Sequence, residues 1–297
     1  MSKNQIKPMV SVVMTTYNHH PFIAEAIEGV LKQKTEFPIE LIIGEDCSID
    51  GTRKIVEEYS IRYPEQIKPI FNKKNLGLLK NYKETLQVVS GKYIAFCEGD
   101  DYWTDPLKLQ KQVDFMESNL SYVACFHKYQ EIEESTIRNE ILPAIKDDFV
   151  VTTTNFFKKW YTKTLTVLLR SESLHQIDIS KYQNPRDTSL FYELLKINNA
   201  MCLNFVGGVY RLHKTGVWSL KEEKERDLIS YITIEEIYYY NPEDEVVKNF
   251  VLRILNRILE KPKFSTYKIL LLKTKSFYFK RLLVKRFLRE KVNLFKV

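Results

Sequence analysis

The sequence has little of several residue types that mark special classes of protein. Its 297 residues include only 9 glycines and 10 prolines, too few for a fibrous or low-complexity chain. The 4 cysteines lie far apart and form no CxxC pair, which argues against a disulfide framework or a zinc ribbon. No apolar run approaches the roughly 18–20 residues that cross a bilayer. What is left is an ordinary globular protein of one or two domains.

Several functional motifs are missing as well. The sequence has no GxxxxGK[ST] loop, no GxGxxG loop and no recognisable Ser-His-Asp arrangement, so P-loop, dehydrogenase and hydrolase functions have no support. The opening residues, MSKNQIKPMV, lack an apolar stretch of the signal-peptide type. We therefore expect a cytoplasmic protein.

Positive charge is concentrated towards the end of the sequence. The net charge is +7, but residues 261–297 carry twelve Lys or Arg and a single acid, Glu290, whereas residues 1–260 carry a net charge of −4. Such a basic extension can bind anionic lipid or nucleic acid, or it can be a solvated helical face. No nucleic-acid recognition motif accompanies the charge, so we expect no nucleic-acid partner.

The last part of this extension, residues 277–297, has the pattern of an imperfect amphipathic helix. At helical spacing one side carries Leu283, Phe287 and Leu294, and another carries Arg281, Lys285, Arg289 and Lys296. A helix of this kind can lie at the inner face of an anionic membrane, or it can pack on the rest of the chain with a basic outer face. The sequence leaves both alternatives open.

The first half alternates short apolar runs with helix-length segments. The predicted strands are Val10–Thr16, Glu40–Ile43, Ile67–Phe71, Lys92–Cys97 and Tyr122–Phe126, and the predicted helices are Pro21–Lys34, Arg53–Arg62, Leu78–Val89 and Pro106–Met116. This order predicts an α/β fold, in which a parallel sheet has helices on both faces. Ligands of such sheets bind beyond the carboxyl ends of the strands.

The alternation fades after residue 128. We predict a strand at Leu165–Leu169, a helix at Asp187–Lys196 and one or two strands at Cys202–Arg211. The helical pattern from Leu220 is interrupted by Asn241-Pro242 and Lys261-Pro262, which predicts three helical pieces. We therefore divide the chain into an α/β domain, residues 1–220, and a basic helical extension, residues 221–297.

Three acids follow the fourth predicted strand within four residues: Glu98, Asp100 and Asp101. Like charges this close repel one another, and a divalent cation is the natural compensation. Carboxylate oxygens are the ligands that Mg²⁺ and Mn²⁺ prefer. The position at a strand end favours a metal site over a solvated acidic turn.

A second acidic loop, EDCSIDGT at 45–52, follows the second predicted strand. A carboxylate at a strand end can accept hydrogen bonds from a nucleobase or from ribose hydroxyls. Asp and Ser are also strong helix caps. We take Asp50 as a structural residue and Asp46 as the ligand-binding candidate.

Motifs in a fixed order connect these loops to a known family. Thr15, Tyr17 and Asn18 follow the first strand, and EDCSIDGT, NLGLLKN at 75–81 and FCEGDDYW at 96–103 come next; RDTSLF at 186–191 and GVYRLHKTGVWS at 208–219 come later. Together they resemble the family 2 glycosyltransferases over roughly residues 8–220. The resemblance implies a GT-A fold with a Rossmann-type sheet.

The resemblance also implies a reaction. Members move a sugar from a nucleoside-diphosphate sugar, here most simply a UDP-sugar, to an acceptor hydroxyl with inversion at the anomeric carbon. The acceptor would be a saccharide or lipid-linked saccharide in the assembly of a surface polysaccharide or glycoconjugate. The cofactor would be Mg²⁺ or Mn²⁺.

The resemblance assigns roles to individual residues. The metal would be held by Asp100 with Glu98 and His213, and Asp187 would be the general base. The residues that would bind the donor nucleotide are Thr15, Tyr17, Asn18, Asp46, Asn75 and Lys80. The residues that would line the sugar or acceptor pocket are Asp101, Trp103 and Trp218.

The sequence departs from the family pattern at three positions. Glu98 stands where the acidic motif usually has Asp, and Cys47 stands where a turn usually has Gly. Arg186 precedes Asp187, and an adjacent guanidinium would weaken that carboxylate as a base. The adjacent histidines His19 and His20 are predicted to be loop residues, since neighbouring histidines rarely face one ion.

Two alternatives remain open. A sugar nucleotidyltransferase also uses an α/β fold and a carboxylate-bound metal, but it would show a Gly- and basic-rich phosphate loop where this chain has TTYNHHP. A non-catalytic nucleotide-sugar-binding module on a degenerate transferase fold is the other alternative. Glu98 and Arg186 are the residues that favour it.

Overall fold

The computed structural model describes residues 7–133, 136–157, 162–213, 216, 221–260 and 264–294. The chain forms two compact units. The first unit consists of the described parts of Met1–Phe156, Trp160–Ile177 and Leu194–His213. The second unit consists of the described parts of Phe157–Lys159, Asp178–Glu193 and Lys214–Val297. The predicted boundary at residue 220 stays a prediction, and the segment 178–193, which precedes it, belongs to the second unit.

The first unit contains a mixed sheet to which all the strands of the described residues belong. The strands are β1 Val10–Thr16, β2 Ile39–Glu45, β3 Ile67–Phe71, β4 Tyr93–Phe96, β5 Tyr102–Trp103, β6 Ala124–Glu133, β7 Thr136–Leu142, β8 Phe149–Val151, β9 Leu168–Arg170 and β10 Ala200–Leu212. Their order is β3-β2-β1-β4-β9-β6-β10-β5, with β7 beside β6 and β8 beside β10.

Helices connect these strands. They are α1 Ile23–Leu31, α2 Thr52–Arg62, α3 Leu78–Leu86, α4 Lys108–Ser118, α5 Thr153–Phe156 and α6 Ser171–Leu174, with a 3-10 turn at Thr164–Thr166. The predicted limits of β1 and β3 are confirmed to the residue. The strand predicted at Leu165–Leu169 is instead the 3-10 turn followed by β9.

The sheet is mixed rather than wholly parallel, although β6 and β10 also form a parallel pair. Strands β3, β2, β1 and β4 are parallel, but β9 runs antiparallel to both β4 and β6 and separates them. The strand predicted at Tyr122–Phe126 therefore does not join the parallel half directly. Local periodicity could not reveal this, because the intervening strand comes from much later in the sequence.

The parallel half carries the hydrophobic core of the first unit. Every residue of β1 is buried, since β2 and β4 flank it. Such strands are continuous apolar runs rather than alternating ones. Helix α1 approaches closely through Gly29, where a Cβ atom would lie 2.9 Å from the backbone oxygen of Trp103. A larger residue at this position would push β5 away from α1.

The second unit is helical in its described part. Its helices are the first turns of α7 Asp187–Ile197, then α8 Glu223–Tyr240, α9 Glu245–Ile258, α10 Phe264–Lys273 and α11 Phe277–Leu294. The prediction of three C-terminal helical pieces was wrong, because the described residues there form four helices, α8 to α11. The chain also turns between α10 and α11, where buried Glu235 accepts hydrogen bonds from the backbone N–H groups of Lys275 and Ser276. Among the described residues, no helix combines the length and apolar content needed to cross a membrane.

Candidate active site

The candidate site lies at the carboxyl ends of β1, β2 and β4. These strands are parallel neighbours, so the segments that follow them meet at one edge of the sheet. The segments are the turn at 17–20, the loop at 45–52 and the loop at 98–101. All of them belong to the first unit.

The turn after β1 is tied to the loop after β2. Asn18 has a left-handed backbone with φ 55°, and its side-chain oxygen accepts a hydrogen bond from the N–H of Ile49 at 3.0 Å. The Asn18 N–H donates to the Ser48 hydroxyl at 3.0 Å. The neighbouring Tyr17 side chain is 39% exposed. Asn18 thus has a structural role that leaves Tyr17 accessible at the site.

In the loop after β2, protein donors occupy both oxygens of the Asp46 carboxylate. Asp46 is buried, and its oxygens accept hydrogen bonds from Asn72 Nδ2 at 2.9 Å, Leu76 N at 2.8 Å and Gly77 N at 2.9 Å. The carboxylate therefore closes the 72–77 segment over the end of β2. A nucleobase would have to share these oxygens or displace their donors.

Two further residues of this loop, Cys47 and Asp50, shape its backbone. Cys47 has φ 61°, the left-handed backbone that a glycine adopts most readily, so the turn is reached with a side chain. Asp50 accepts hydrogen bonds from the N–H of Thr52 and of His20, both at 3.0 Å. Asp50 is thus a structural residue at the start of α2, as expected.

The loop after β4 brings three carboxylates together. One oxygen each of Glu98, Asp100 and Asp101 lies within 4.8 Å of the other two. Glu98 is held by the Tyr82 hydroxyl at 2.7 Å and the Thr164 hydroxyl at 3.2 Å. Burial and the Glu98 charge raise the pKa of Tyr82 well above its usual value, so Tyr82 stays protonated and donates.

Asp101 has an unusual environment for a carboxyl group. It is 1% exposed, and its Oδ1 accepts a hydrogen bond from the Arg211 N–H at 2.9 Å. Its Oδ2 is buried and has no hydrogen-bond partner in the part of the chain described. Burial, with the nearby charges of Asp100 and Glu98, raises the pKa of Asp101 well above its usual value. A divalent cation would satisfy this oxygen and offset the repulsion, so these residues fit a bound metal.

Asp100 is paired with imidazoles. His213 Nε2 lies 3.0 Å from Asp100 Oδ2, and His19 Nε2 lies 3.7 Å from the same oxygen. Burial raises the pKa of Asp100, but the hydrogen bond from His213 and the two imidazoles outweigh it and leave the pKa below its usual value. Burial lowers the pKa of His19. The structure thus brings His213, predicted from a distant motif, to the acidic cluster.

Arg211 braces the acidic loop from β10. Its Nη1 donates to the backbone oxygen of Asp100 at 2.8 Å, and its guanidinium lies 4.2 Å from the ring centre of Tyr102. Its Nη2 is paired with Glu25 of α1. The sequence motif around Tyr210 and His213 contained Arg211, but periodicity could not show that it reaches the acidic loop.

Thr15 adjoins the acidic loop, because its backbone oxygen accepts a hydrogen bond from the Gly99 N–H at 3.0 Å and its side chain hydrogen-bonds Tyr82. Asn75, before α3, and Lys80, in its first turn, are exposed. Trp103 is 4% exposed, and its indole N–H donates to the Leu165 backbone oxygen at 2.9 Å. Trp103 is therefore a core residue in this structure and does not line an open pocket.

The two remaining predicted residues belong to later segments. Asp187 is the first residue of α7 in the second unit, and its Oδ1 accepts a hydrogen bond from the Thr188 N–H at 2.8 Å. It therefore stabilises the helix start, and its role as a base stays a prediction. Trp218 lies outside the described residues.

Comparisons with known proteins agree with this architecture. The sequence model described as "Glycosyl transferase family 2" matches residues 11–177. An uncharacterized protein of Mycobacterium tuberculosis is 35% identical over 209 residues, which are 70% of this chain and 60% of that protein. The chain thus spans less than two thirds of that relative's length.

The alignment with another relative covers a larger share of that relative's length. The UDP-Glc:alpha-D-GlcNAc-diphosphoundecaprenol beta-1,3-glucosyltransferase WfgD of Escherichia coli is 30% identical over 216 residues, covering 72% of this chain and 81% of WfgD. Among solved structures, S. aureus TarS 1–349 in complex with UDP-GlcNAc has a TM-score of 0.64 and 22% identity, covering 90% of this chain and 76% of TarS 1–349. This likeness confirms the expected GT-A-type α/β fold. The motifs, the fold and the family match together show that the chain belongs to glycosyl transferase family 2.

Proposed function

We propose that the protein is an inverting glycosyltransferase that moves a sugar from a UDP-sugar to a hydroxyl of a saccharide or lipid-linked saccharide. Family membership and the names of WfgD and of the TarS complex support this class of donor and acceptor. The observation that carries the proposal is the carboxylate cluster at the end of β4, with its buried, unsatisfied Asp101 oxygen. Assembly of a surface polysaccharide at the cytoplasmic membrane face is the matching pathway.

Asp100, Glu98 and His213 would hold the Mg²⁺ or Mn²⁺ ion. When bound, the ion neutralises charge on the departing nucleoside diphosphate, which stabilises the transition state by several kcal/mol. The chain's own groups hold the carboxylates ready for this role: Tyr82 and Thr164 orient Glu98, and Arg211 anchors the backbone of Asp100. Asp101, which is buried and keeps one oxygen without a protein donor in the described chain, would border the sugar pocket, the role that the family resemblance gives it.

The remaining roles follow the family resemblance. Thr15, Tyr17, Asn18, Asp46, Asn75 and Lys80 form the donor-nucleotide site, and Trp103 and Trp218 bound the sugar or acceptor pocket. The burial of Trp103 means that it would act by supporting that pocket from behind. Asp187 is the general base that removes the acceptor proton.

The proposal is tested by thermal shift with nucleoside diphosphates and nucleotide-sugars, with and without Mn²⁺. A ligand at 100 times its Kd adds about 2.7 kcal/mol of stability. We expect a Mn²⁺-dependent shift with one nucleotide, lost in Asp100→Ala. Transfer by wild-type protein then separates an enzyme from a non-catalytic module, and release of pyrophosphate from a sugar phosphate and a nucleoside triphosphate would indicate a nucleotidyltransferase. No shift with any nucleotide would contradict the donor site.

The base assignment needs its own variant. Asp187→Asn should lower turnover about 10²–10⁴-fold, the usual contribution of general-base catalysis, while leaving donor binding intact. Asp178→Asn is the matched control, because Asp178 also caps a turn in the second unit, by accepting a hydrogen bond from Ser180 N at 2.9 Å. Comparable turnover in wild type and Asp187→Asn would remove the base assignment.

We also propose that α11 contacts an anionic membrane, through a different side than the sequence pattern indicated. Leu283 is fully buried, and Phe287 packs on Tyr267 of α10 at 5.3 Å between ring centres, so the side predicted as apolar is used for packing. Phe277, Val284 and Leu288 are exposed and share another side at i, i+7 and i+11 spacing.

Basic residues border this exposed stripe. Lys280, Arg281, Lys285 and Arg289 of α11 are all exposed. An apolar stripe with cationic flanks suits an anionic lipid surface, where each Lys or Arg contributes about 1 kcal/mol. In this proposal, α11 packs on α10 with one side and contacts the membrane with another.

Liposome sedimentation tests the membrane contact. Phe277→Ser combined with Leu288→Ser should reduce binding to vesicles containing phosphatidylserine, and raised salt should reduce wild-type binding. Ile61→Ser is the control, because Ile61 is as exposed as Phe277 but lies in α2 of the first unit. Unchanged sedimentation of the double variant would leave α11 with a packing role alone.

A further inference from the structure

Helix α8 buries two consecutive acids, Glu235 and Glu236, which are 0% and 1% exposed. Burying a carboxylate is costly unless hydrogen bonds and a compensating charge replace the lost water. Neither acid belongs to a motif that the sequence pattern singled out, and the proposed transfer reaction uses neither of them. Their hydrogen-bond partners therefore show what each acid does.

The two acids bind different segments of the second unit. Glu235 accepts hydrogen bonds from two backbone N–H groups at the turn between α10 and α11. Glu236 instead accepts from the loop that precedes α7: Gln183 N donates to its Oε1 at 2.6 Å, and Asn184 N donates to its Oε2 at 3.1 Å. Both oxygens of Glu236 are thus bonded to consecutive N–H groups of one loop.

The carboxylate of Glu236 is also paired with a cation, because Lys275 Nζ bonds to the same Oε1. Hydrogen bonds to a charged acceptor are roughly twice as strong as those between neutral groups. Gln183 and Asn184 are themselves exposed, so that their N–H groups could bond to water instead. A buried, charged side chain thus holds an exposed loop in one position.

The loop that Glu236 holds leads directly into α7. Two residues, Pro185 and Arg186, separate it from Asp187, the first residue of that helix. Proline fixes its own φ at about −65° and favours an extended backbone at the residue before it, so this link has little freedom. A shift of the loop at Asn184 would therefore move the Asp187 carboxylate.

Contacts with α8 and α9 hold the chain on either side of this loop. The Tyr240 hydroxyl, at the end of α8, donates to the Lys181 backbone oxygen at 2.7 Å. Farther along, the Tyr192 hydroxyl donates at 2.8 Å to Asp244, the N-cap of α9. Glu236 bonds to the backbone between these two contacts, immediately before α7 begins.

We propose that Glu236 is a positioning residue for the transfer reaction, because it fixes the loop before α7 and thereby the orientation of the Asp187 carboxylate. The inference rests on the proposed function, in which Asp187 removes the acceptor proton. Misplacing a catalytic group by about 1 Å can lower the rate about 10²-fold. Glu236 therefore governs turnover through Asp187, and donor binding does not depend on it.

The test compares Glu236→Gln with Glu235→Gln in the full chain, by release of UDP from a UDP-sugar with water as the acceptor. In Glu236→Gln an NH₂ group replaces one of the two acceptors, so kcat should fall about 10²-fold while the KM for the UDP-sugar stays near the wild-type value. Glu235→Gln is the matched control, because Glu235 is an equally buried acid that bonds to a different turn. Its kcat should stay near the wild-type value.

Amide hydrogen exchange provides a measurement that needs no turnover. Exchange at Gln183 and Asn184 should become faster in Glu236→Gln, because their N–H groups lose a charged acceptor. In Glu235→Gln the faster exchange should instead occur at Lys275 and Ser276. Unchanged exchange at Gln183 and Asn184 in Glu236→Gln would overturn the inference.

A double variant shows whether Glu236 acts through Asp187. Glu236→Gln combined with Asp187→Asn should turn over as slowly as Asp187→Asn alone, because no base is left to position. A further loss in the double variant, or wild-type kcat in Glu236→Gln beside a slow Asp187→Asn, would overturn this inference alone. Wild-type turnover in Asp187→Asn would overturn the base assignment of the proposed function and the inference with it.

A melting curve identifies a variant that fails to fold. Glu236→Asp then replaces Glu236→Gln, because it keeps the charge that pairs with Lys275 and shortens the side chain by one methylene group. It should show the same loss of kcat at unchanged KM. Wild-type kcat in a folded Glu236→Asp would overturn the positioning role.

Discussion

The loops after β2 and β4 have similar acid content, but Asp46 in the first and Asp101 in the second differ in how far protein donors satisfy them. In the loop after β2, Glu45 pairs with Arg53 at 3.1 Å, and Asp46 accepts three hydrogen bonds from protein donors. In the loop after β4, Asp101 keeps a buried oxygen without a donor. The comparison teaches that acids at a strand end are not equivalent. Protein donors occupy both oxygens of Asp46, whereas one oxygen of Asp101 has no donor in the described part of the chain.

The cations that follow the two loops differ in the same way. Arg53, in the first turn of α2, finds a carboxylate. Lys108, the first residue of α4, is fully buried with its Nζ 3.6 Å from the Trp103 ring centre, and it has no hydrogen-bond partner in the described chain. The ring face attracts the cation without neutralising it.

The largest expected effect of a single substitution at one pH concerns the loop after β2. Asp46→Ala should destabilise the protein by about 3 kcal/mol, because the buried Asn72 amide and the partly buried N–H groups of Leu76 and Gly77 lose a charged acceptor. Asp50→Ala should cost only about 1 kcal/mol, because exposed Asp50 accepts its two backbone hydrogen bonds where water can replace it. Thermal melting without nucleotide measures both. Equal losses would mean that the two acids have the same structural role and that hydrogen-bond saturation does not distinguish them.

A pH series sharpens the contrast between the two cations. Burial lowers the pKa of Lys108 to about 7, whereas the unfolded chain keeps a lysine value near 10.4. Between these values the unfolded state binds more protons, so the free energy of unfolding should rise with pH from about 7 to 10, by up to about 1.4 kcal/mol per pH unit. Lys108→Met should flatten this slope and exposed Lys111→Met should not. If the free energy of unfolding of Lys108→Met rose with pH as steeply as that of the wild type, a group other than Lys108 would cause the pH dependence.

The smallest expected effect reverses the usual sign of a core mutation. Asp101→Asn replaces a buried carboxyl group whose ionisation is disfavoured by burial and by the nearby Asp100 and Glu98, while Oδ1 can still accept from the Arg211 N–H. Without metal the melting temperature should rise by about 2–4 °C, the shift that about 1 kcal/mol produces in a domain of this size. The stabilisation by Mn²⁺ should shrink in the same variant. A lower melting temperature without metal would show that the Asp101 charge is satisfied in the free protein.

Much of the first half was predictable because its elements are local. The limits of β1 and β3 follow from apolar runs bounded by turn residues, and the acidic loop follows from its position after a strand. The insertion of β9 between β4 and β6 was not predictable, because strand pairing at long separation leaves no local periodicity. The break between α10 and α11 was missed because Thr274–Ser276 contains neither Gly nor Pro.

The sequence by itself determined which acids stand at the strand ends, where charge accumulates, and to which family the motifs point, because these are properties of residue type and spacing. Only the tertiary structure decided how those residues are used. In the folded chain, Asp46 accepts hydrogen bonds from protein donors, whereas Asp101 Oδ2 has no partner among the described residues. Leu283 is buried, and His19 Nε2 lies 3.7 Å from Asp100 Oδ2. The physical reason is that hydrogen-bond saturation and burial depend on neighbours that are distant in sequence, and these neighbours are assigned only when the chain has folded.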